Sequence, residues 1–148
     1  MRIFNWYIAN SFAAYPEKEL PVALFSRFRE SCQGYPSAVA LLPDGSVGGF
    51  GLLRAHNPMP AFQATAEISC FVRPDLTGNG LGSALYAVLV KEAEEQGIRT
   101  ILASISSLNE GSIRFHARQG FRECGRFSGI GEKRAKVFDV IWMLKSIR

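Results

Sequence analysis

The 148-residue chain has the composition of one globular domain, since 47% of its residues are hydrophobic and only 20% are charged. The formal net charge of +4 favours an anionic ligand, but the 17 Lys and Arg residues are scattered among 13 acidic ones rather than gathered in runs. We therefore expect no nucleic-acid partner, because such proteins carry a basic stripe.

The cysteines and the N-terminus indicate where the protein works. Cys32, Cys70 and Cys124 are odd in number, widely separated and without CxxC or neighbouring His spacing. This pattern predicts reduced thiols and no metal site. No apolar run approaches the length of a membrane span, and the first residues lack a signal-peptide pattern. We expect a cytoplasmic protein with no membrane partner.

Two helical patterns open the chain. Apolar residues from Ile3 to Phe12 recur at helical spacing and predict a helix over residues 2 to about 12. A second pattern begins at Leu20 and is expected to end near Gly34, where Pro36 follows.

The next segment predicts a β-hairpin and a loop. Residues 37–42 and 47–54 are apolar runs separated by Pro-Asp-Gly-Ser, which is typical turn chemistry. Residues 55–60 contain two prolines and no periodicity, so they form a loop. This loop either borders a pocket or only connects two strands. We expect a plain connection and give His56 no catalytic role.

A strand, a glycine-rich loop and a helix follow in direct succession. Alternation up to Val72 predicts a strand, and Pro74 stops it by removing a backbone donor. Glycines at every second position from 78 to 82 allow close approach of a ligand. The N-terminus of the next helix favours a phosphate. The segment predicts a pyrophosphate site with a carboxylate, Glu67, on the strand leading to it.

The remaining elements complete one α/β domain with a mixed sheet. The helix after the glycines is expected to stop at Gly97, and residues 100–105 form a short buried strand. A helix starts near Asn109 and stops at Gly120. Residues 121–127 and 137–144 have strand patterns.

The glycine spacing separates three kinds of phosphate site. A Walker A loop needs a lysine directly after its last glycine, and none is present here. A dinucleotide fold needs GxGxxG and an acidic residue at the end of the next strand, and the sequence has neither. A glycine-rich turn without any ligand stays open on this pattern alone.

A second motif narrows these alternatives. The chain contains V-x-P-x-x-x-G-x-G-x-G from Val72 to Gly82, and then N-x-x-S-I-x-x-H-x-x-x-G-F from Asn109 to Phe121. This order resembles the GNAT superfamily of N-acetyltransferases, and within it the phosphinothricin N-acetyltransferase group. The resemblance implies a single GNAT domain over residues 1–148, with a mixed central sheet flanked by helices.

The resemblance also implies acetyl-CoA as co-substrate and no metal. Backbone groups of Cys70, Phe71 and Val72 would pair with the pantetheine arm, and Asn109 would bind it further along. The pyrophosphate would lie on the loop and helix start, which comprise Thr77, Gly78, Asn79, Gly80, Leu81, Gly82 and Ser83.

The implied chemistry is acetyl transfer to an amine by direct attack. Glu67 would act as general base, directly or through a water, and a backbone N–H near Phe71 or Val72 would hold the oxyanion. His116 stands where many relatives have a Tyr that protonates the leaving sulfur, and it either acts as that acid or only packs in the core. The acceptor would be a small amino acid or its sulfone, sulfoximine or phosphinic analogue. Candidate contacts for its anionic group and its side chain are Arg54, Phe62 and Lys133.

Two departures from the family pattern bear on this interpretation. Thr77 replaces the usual Arg or Gln at the head of the loop, and the chain begins at the first helix, so that either the expected first strand is missing or the start of the sequence is misassigned. An exposed sheet edge would alter stability and allow a homodimer. These departures leave two alternatives, a non-catalytic acyl-CoA-binding module and an acetyltransferase for other amines, including protein amines.

Overall fold

The structure, a computed structural model, describes residues 1–147 and contains six strands and four α-helices in that range. The strands are β1 (Ser37–Leu41), β2 (Val47–Ala55), β3 (Thr65–Val72), β4 (Thr100–Ser106), β5 (Arg122–Lys133) and β6 (Lys136–Ser146). The helices are α1 (Arg2–Asn10), α2 (Phe25–Ser31), α3 (Leu81–Glu95) and α4 (Glu110–Arg118), with short 3-10 turns at Val22–Leu24, Pro60–Phe62 and Pro74–Leu76.

The strands form one mixed sheet in the order β1-β2-β3-β4-β6-β5. Every neighbouring pair is antiparallel except β3 and β4, which are parallel. This arrangement confirms the predicted mixed sheet with flanking helices, and α1 precedes its first strand. Among residues 1–147, no helix has the length and apolar composition needed to cross a membrane.

The two parallel strands stay together only briefly. Their register runs from Thr65 opposite Thr100 to Glu67 opposite Leu102. Beyond that point β3 continues to Val72 along β2, and β4 continues to Ser106 along β6. The sheet therefore opens into a gap whose apex lies at Glu67.

Helix α3 covers one face of the sheet. Tyr86, Leu89 and Ala93 lie three and four residues apart and are buried in the main core cluster with Leu53 and Ile68. Complete burial of each large apolar side chain contributes about 1.5–3 kcal/mol. The helix ends where predicted, because Gly97 adopts a φ of +80°.

Helices α1 and α2 cover the opposite face and are shorter than predicted. Helix α1 ends at Asn10 because Ser11 is extended and its hydroxyl donates to the carbonyl of Tyr7. The second helix begins at Phe25 rather than Leu20, since Leu20 precedes a proline, a position that disfavours the helical conformation.

The β5–β6 hairpin is longer than the sequence pattern predicts and reaches the C-terminal end of α1. Arg134 and Ala135 form its turn with φ values of 51° and 58°. Lys133 has no exposed surface, and its Nζ donates to three carbonyls at 2.7–2.8 Å, those of Ile8, Ser11 and Ala14. A cation at a helix C-terminus is favourable, so this side chain fixes α1 and the segment after it.

We expect Lys133→Met to lower the free energy of unfolding by about 2–4 kcal/mol, because buried carbonyls would lose their donor. Urea denaturation followed by circular dichroism measures the change. Lys91→Met is the matched control, because Lys91 is exposed on α3, and it should alter stability by less than about 0.5 kcal/mol. Equal stability of the two variants would contradict an anchoring role for Lys133.

Candidate active site

The gap between β3 and β4 forms a groove of about 1030 Å³. Its walls include β3 from Glu67 to Val72, β4 from Ala103 to Ser106, the glycine-rich loop and the first part of α4. Residues predicted from distant parts of the sequence therefore border one continuous space.

Peptide groups of β3 alternate between the β2 ladder and this groove. Arg73 N donates to Gly48 O over 2.8 Å, so odd-numbered residues of β3 direct their peptide groups toward β2. Cys70 and Val72 consequently face the groove. The peptide of Phe71, which was predicted to pair with the pantetheine arm, is instead paired with Phe50 of β2. Of the two positions predicted for an oxyanion donor, only Val72 faces the groove.

Two titratable side chains at this edge, those of Cys70 and Tyr7, are neutral. Burial raises the pKa of the Cys70 thiol to about 11, which makes it a poor nucleophile. Burial, followed by the effect of Cys70, also raises the pKa of Tyr7. The Tyr7 hydroxyl keeps its proton and donates to Val72 O over 2.6 Å.

The glycine-rich loop presents bare backbone. Gly78 and Gly80 have φ values of +80° and +83°, and a Cβ added at either would meet no atom within 4 Å. Helix α3 starts after Gly80 without a side-chain cap. The N–H groups of residues 81–83 therefore have no intrahelical acceptor and form an anion site at the positive end of the helix.

The other predicted loop residues contribute differently. Thr77 Oγ1 donates to Pro74 O over 3.0 Å and closes the preceding turn, while Asn79 is exposed. A Cβ added at Gly48 would lie 3.1 Å from the Leu81 side chain, so Leu81 packs over β2 and offers only its N–H. Ser83 Oγ accepts a hydrogen bond from Gln119 over 2.8 Å, which connects α3 to the end of α4.

Asn109 borders the groove as the N-cap of α4. Its Oδ1 accepts from Ser112 N over 3.3 Å, which satisfies one unpaired donor of the helix. This contact leaves the Nδ2 group to donate elsewhere, and that group suits a carbonyl of a bound ligand.

His116 lies within α4 and is 7% exposed. Its Nδ1 donates to Ser112 O over 2.8 Å, and its ring packs edge-on against Phe115 and Phe121. Burial lowers the pKa of His116, with the hydrogen bond to Ser112 acting in the opposite direction. The neutral ring has its proton on Nδ1, so Nε2 is an acceptor rather than a proton donor.

Glu67 occupies the apex of the gap with a side chain that is only 12% exposed. Its Oε2 accepts from Arg54 Nη2 over 2.7 Å, and its Oε1 lies 2.9 Å from His56 Nδ1. Arg54 and Glu67 stand opposite each other in the β2–β3 register. The carboxylate is thus held by Arg54, which was predicted to contact the acceptor, and by His56, which was predicted to have no catalytic role.

His56 is the site residue that sequence reasoning assigned to a plain connection. Residues 54 and 56 are two apart at the end of β2, so both side chains lie on the face that carries Glu67. That spacing was the available signal, but its meaning depends on the register between β2 and β3.

The acceptor-site predictions are divided by the structure. Arg54 lines the groove, whereas Phe62 is not one of its lining residues and instead has its ring 6.0 Å from that of His56. Lys133 does not fit the role, because three backbone carbonyls take the donors of its buried ammonium group. No cluster of three or more His, Cys, Asp or Glu side chains suited to a metal occurs within residues 1–147.

The arrangement has a definite chemical use. Peptide donors along one wall and a helix N-terminus at one end suit a ligand that carries amides and a diphosphate. A carboxylate at the apex, beside an imidazole, suits removal of a proton from an amine.

Comparison with known proteins agrees with this geometry. Residues 1–121 match the acetyltransferase (GNAT) family. The chain is 34% identical over 147 residues to the L-methionine sulfoximine/L-methionine sulfone acetyltransferase of Pseudomonas paraeruginosa, covering 97% of this chain and 84% of that protein.

Two solved structures have the same fold. The ribosomal-protein-alanine N-acetyltransferase of Brucella melitensis is 30% identical with a TM-score of 0.90, over 98% of this chain and 90% of that one. A phosphinothricin acetyltransferase of Sinorhizobium meliloti in complex with acetyl-CoA is 29% identical with a TM-score of 0.91, over 98% and 80% of the respective chains. These matches confirm the predicted fold, and this chain belongs to the GNAT family of acetyltransferases.

Proposed function

We propose that this acetyl-CoA-dependent N-acetyltransferase modifies the amino group of a small amino acid or an analogue of the methionine sulfone, sulfoximine or phosphinothricin type. The names of similar enzymes support this acceptor class. The single observation that carries the proposal is the position of Glu67, a shielded carboxylate at the apex of a groove with free peptide groups.

Acetyl-CoA would lie along the open edge of β3. The peptide groups of Cys70 face the groove and suit a pantetheine amide, the N–H of Val72 stays available to the thioester oxygen because Tyr7 occupies only Val72 O, and the Asn109 Nδ2 group can donate further along. The diphosphate fits the N–H groups of residues 78–83, where two glycines leave the backbone uncovered. No lysine is needed there, because peptide N–H groups and the helix dipole supply the positive potential.

The amine needs to lose a proton before it attacks the thioester. Glu67 supplies the negative charge for this step, acting itself or through a hydrogen-bonded neighbour or water. Bound on the same face, the acceptor would place its anionic group near Arg54 and its side chain against Phe62. Acetyl transfer then occurs in a ternary complex, with the peptide N–H of Val72 directed at the oxyanion.

His116 would contact the donor near the leaving sulfur. Its Nδ1 proton is held by Ser112 O, and burial disfavours a second proton on the ring. We therefore assign it the role of a neutral hydrogen-bond acceptor that orders the groove, instead of the acid implied by family resemblance.

A homodimer and a cytoplasmic location stay predictions.

The acceptor and the role of Glu67 are tested together by release of free CoA thiol. The acceptor panel contains methionine sulfone, phosphinothricin, common amino acids and a peptide with N-terminal alanine. Turnover with the sulfone or phosphinothricin is expected, and Glu67→Gln should lower kcat about 100- to 10,000-fold while acetyl-CoA affinity is retained. Glu95→Gln, an exposed change on α3, is the matched control.

Other outcomes of the panel have clear meanings. Turnover with the peptide alone would indicate that the acceptor is a protein amine instead of a small amino acid. Acetyl-CoA binding without turnover on any acceptor would favour a non-catalytic acyl-CoA-binding module.

The pyrophosphate site is tested by a matched pair of glycine variants. Gly80 and Gly97 both have positive φ and open surroundings, but only Gly80 borders the groove. Alanine at either position should lower the free energy of unfolding by about 1 kcal/mol. Only Gly80→Ala should also weaken acetyl-CoA binding, by about tenfold in Kd, as measured by calorimetry. Equal affinities of the two variants would place the diphosphate elsewhere.

The neutral state of His116 predicts how stability depends on pH. Because its pKa is lowered on folding from 6.5, the unfolded chain binds more protons and stability is lost as pH falls through about 6.5. In urea titrations between about pH 5 and 8, His116→Gln should show a shallower loss than wild type. Identical slopes would contradict a buried neutral imidazole.

A further inference from the structure

His56 contacts the carboxylate that the proposed function depends on. Its Nδ1 lies 2.9 Å from Glu67 Oε1, while Arg54 Nη2 donates to the other oxygen over 2.7 Å. Both oxygens of Glu67 are therefore engaged by groups of the protein. An amine that approached Glu67 directly would have to share an oxygen with one of these donors.

The contact fixes which nitrogen of His56 carries the proton. An ionised carboxylate only accepts hydrogen bonds, so the proton between Glu67 and His56 belongs to Nδ1. A neutral His56 consequently has its free lone pair on Nε2.

The side chain of His56 is partly exposed and lies next to Arg54 and Glu67, which line the groove. The side chain is 32% exposed, and its contact with Glu67 places it on the same side of the sheet as that carboxylate. Rings of Phe62 and Trp142 flank it edge-on, each with its centroid 6.0 Å from the imidazole. The charged groups that contact it are Glu67 on β3 and, through Glu67, Arg54 on β2.

We propose that His56 Nε2 takes the proton from the acceptor amine, and that Glu67 is the positioning residue that orients His56 and stabilises the imidazolium. The inference rests on the acetyltransferase function proposed above. It follows the general logic of a carboxylate–imidazole pair, in which the carboxylate fixes the tautomer and the distal nitrogen accepts the proton. His56 would then be a catalytic residue contributed by the loop start after β2.

The proton transfers balance without any further reactant. The ammonium form of the acceptor gives one proton to Nε2, which makes the amine neutral and His56 an imidazolium. The amine lone pair forms the C–N bond to the thioester carbon, and the C–S bond then breaks. The second proton on nitrogen passes to the departing thiolate to give free CoA, and His56 returns its proton to solvent.

The first experiment compares two variants of His56 after turnover has been established for wild type. His56→Gln keeps an N–H donor for Glu67 but has no basic nitrogen, so kcat should fall about 100- to 10,000-fold with acetyl-CoA affinity unchanged. His56→Ala should lose as much activity and regain part of it when imidazole is added.

The chain supplies a matched control, because His116 is its only other histidine. Imidazole should rescue neither His116→Ala nor Glu67→Ala. The double variant His56→Gln/Glu67→Gln should lose no more activity than either single variant, because the two residues act as a unit. If the wild type turns over and His56→Gln keeps full activity, the inference is overturned and the proposed function stands. A wild type without turnover would overturn both.

A second measurement does not depend on activity or on the folding of a variant. Nitrogen-15 NMR of the wild-type protein distinguishes protonated from unprotonated ring nitrogens of its two histidines. In neutral His56 we expect a proton on Nδ1 and none on Nε2. A proton on Nε2 instead would overturn the inference, because Nε2 could then accept none from the amine.

Discussion

The parting of β3 from β4 is the constraint on which the site depends. After the Glu67–Leu102 pair the two strands separate, yet each keeps its other neighbour. Backbone groups that a closed sheet would consume are left facing a groove, and water can satisfy them at little cost until a ligand does. The same separation puts Glu67 at the apex, where it is shielded but reachable.

The β3 side of this groove is stabilised by contacts from the β5–β6 hairpin, which lies far from β3 in the sequence. Lys133 reaches the last carbonyls of α1, and α1 in turn directs the Tyr7 hydroxyl at Val72 O. The buried ammonium is therefore a structural cation with an indirect effect on the donor edge. Its charge compensates the negative end of α1, and the loop of residues 11–14 is ordered around it.

Local periodicity was sufficient to predict the parts of the fold that depend on near neighbours. Helix α3, with its glycine stop, and the strand that ends at Val72 are of this kind. The role of Lys133 could not be predicted, because its contacts join residues up to 125 positions apart and a lysine normally indicates surface. The His56–Glu67 contact was missed for a related reason. The contact depends on the register between β2 and β3. An apolar pattern predicts which face of a sheet a side chain occupies, but not which residue lies opposite it on the next strand.

The diphosphate cradle is built from main chain, with the side chains kept away from it. Thr77 bonds its own turn, Leu81 packs over β2, and Gly78 and Gly80 have no side chain at all. Recognition of this kind depends mainly on the loop positions that are glycine, and it places little constraint on the identity of most other residues in the loop. Substitutions in such a loop change its side chains, while the backbone hydrogen-bond donors stay in place because every non-proline peptide carries one.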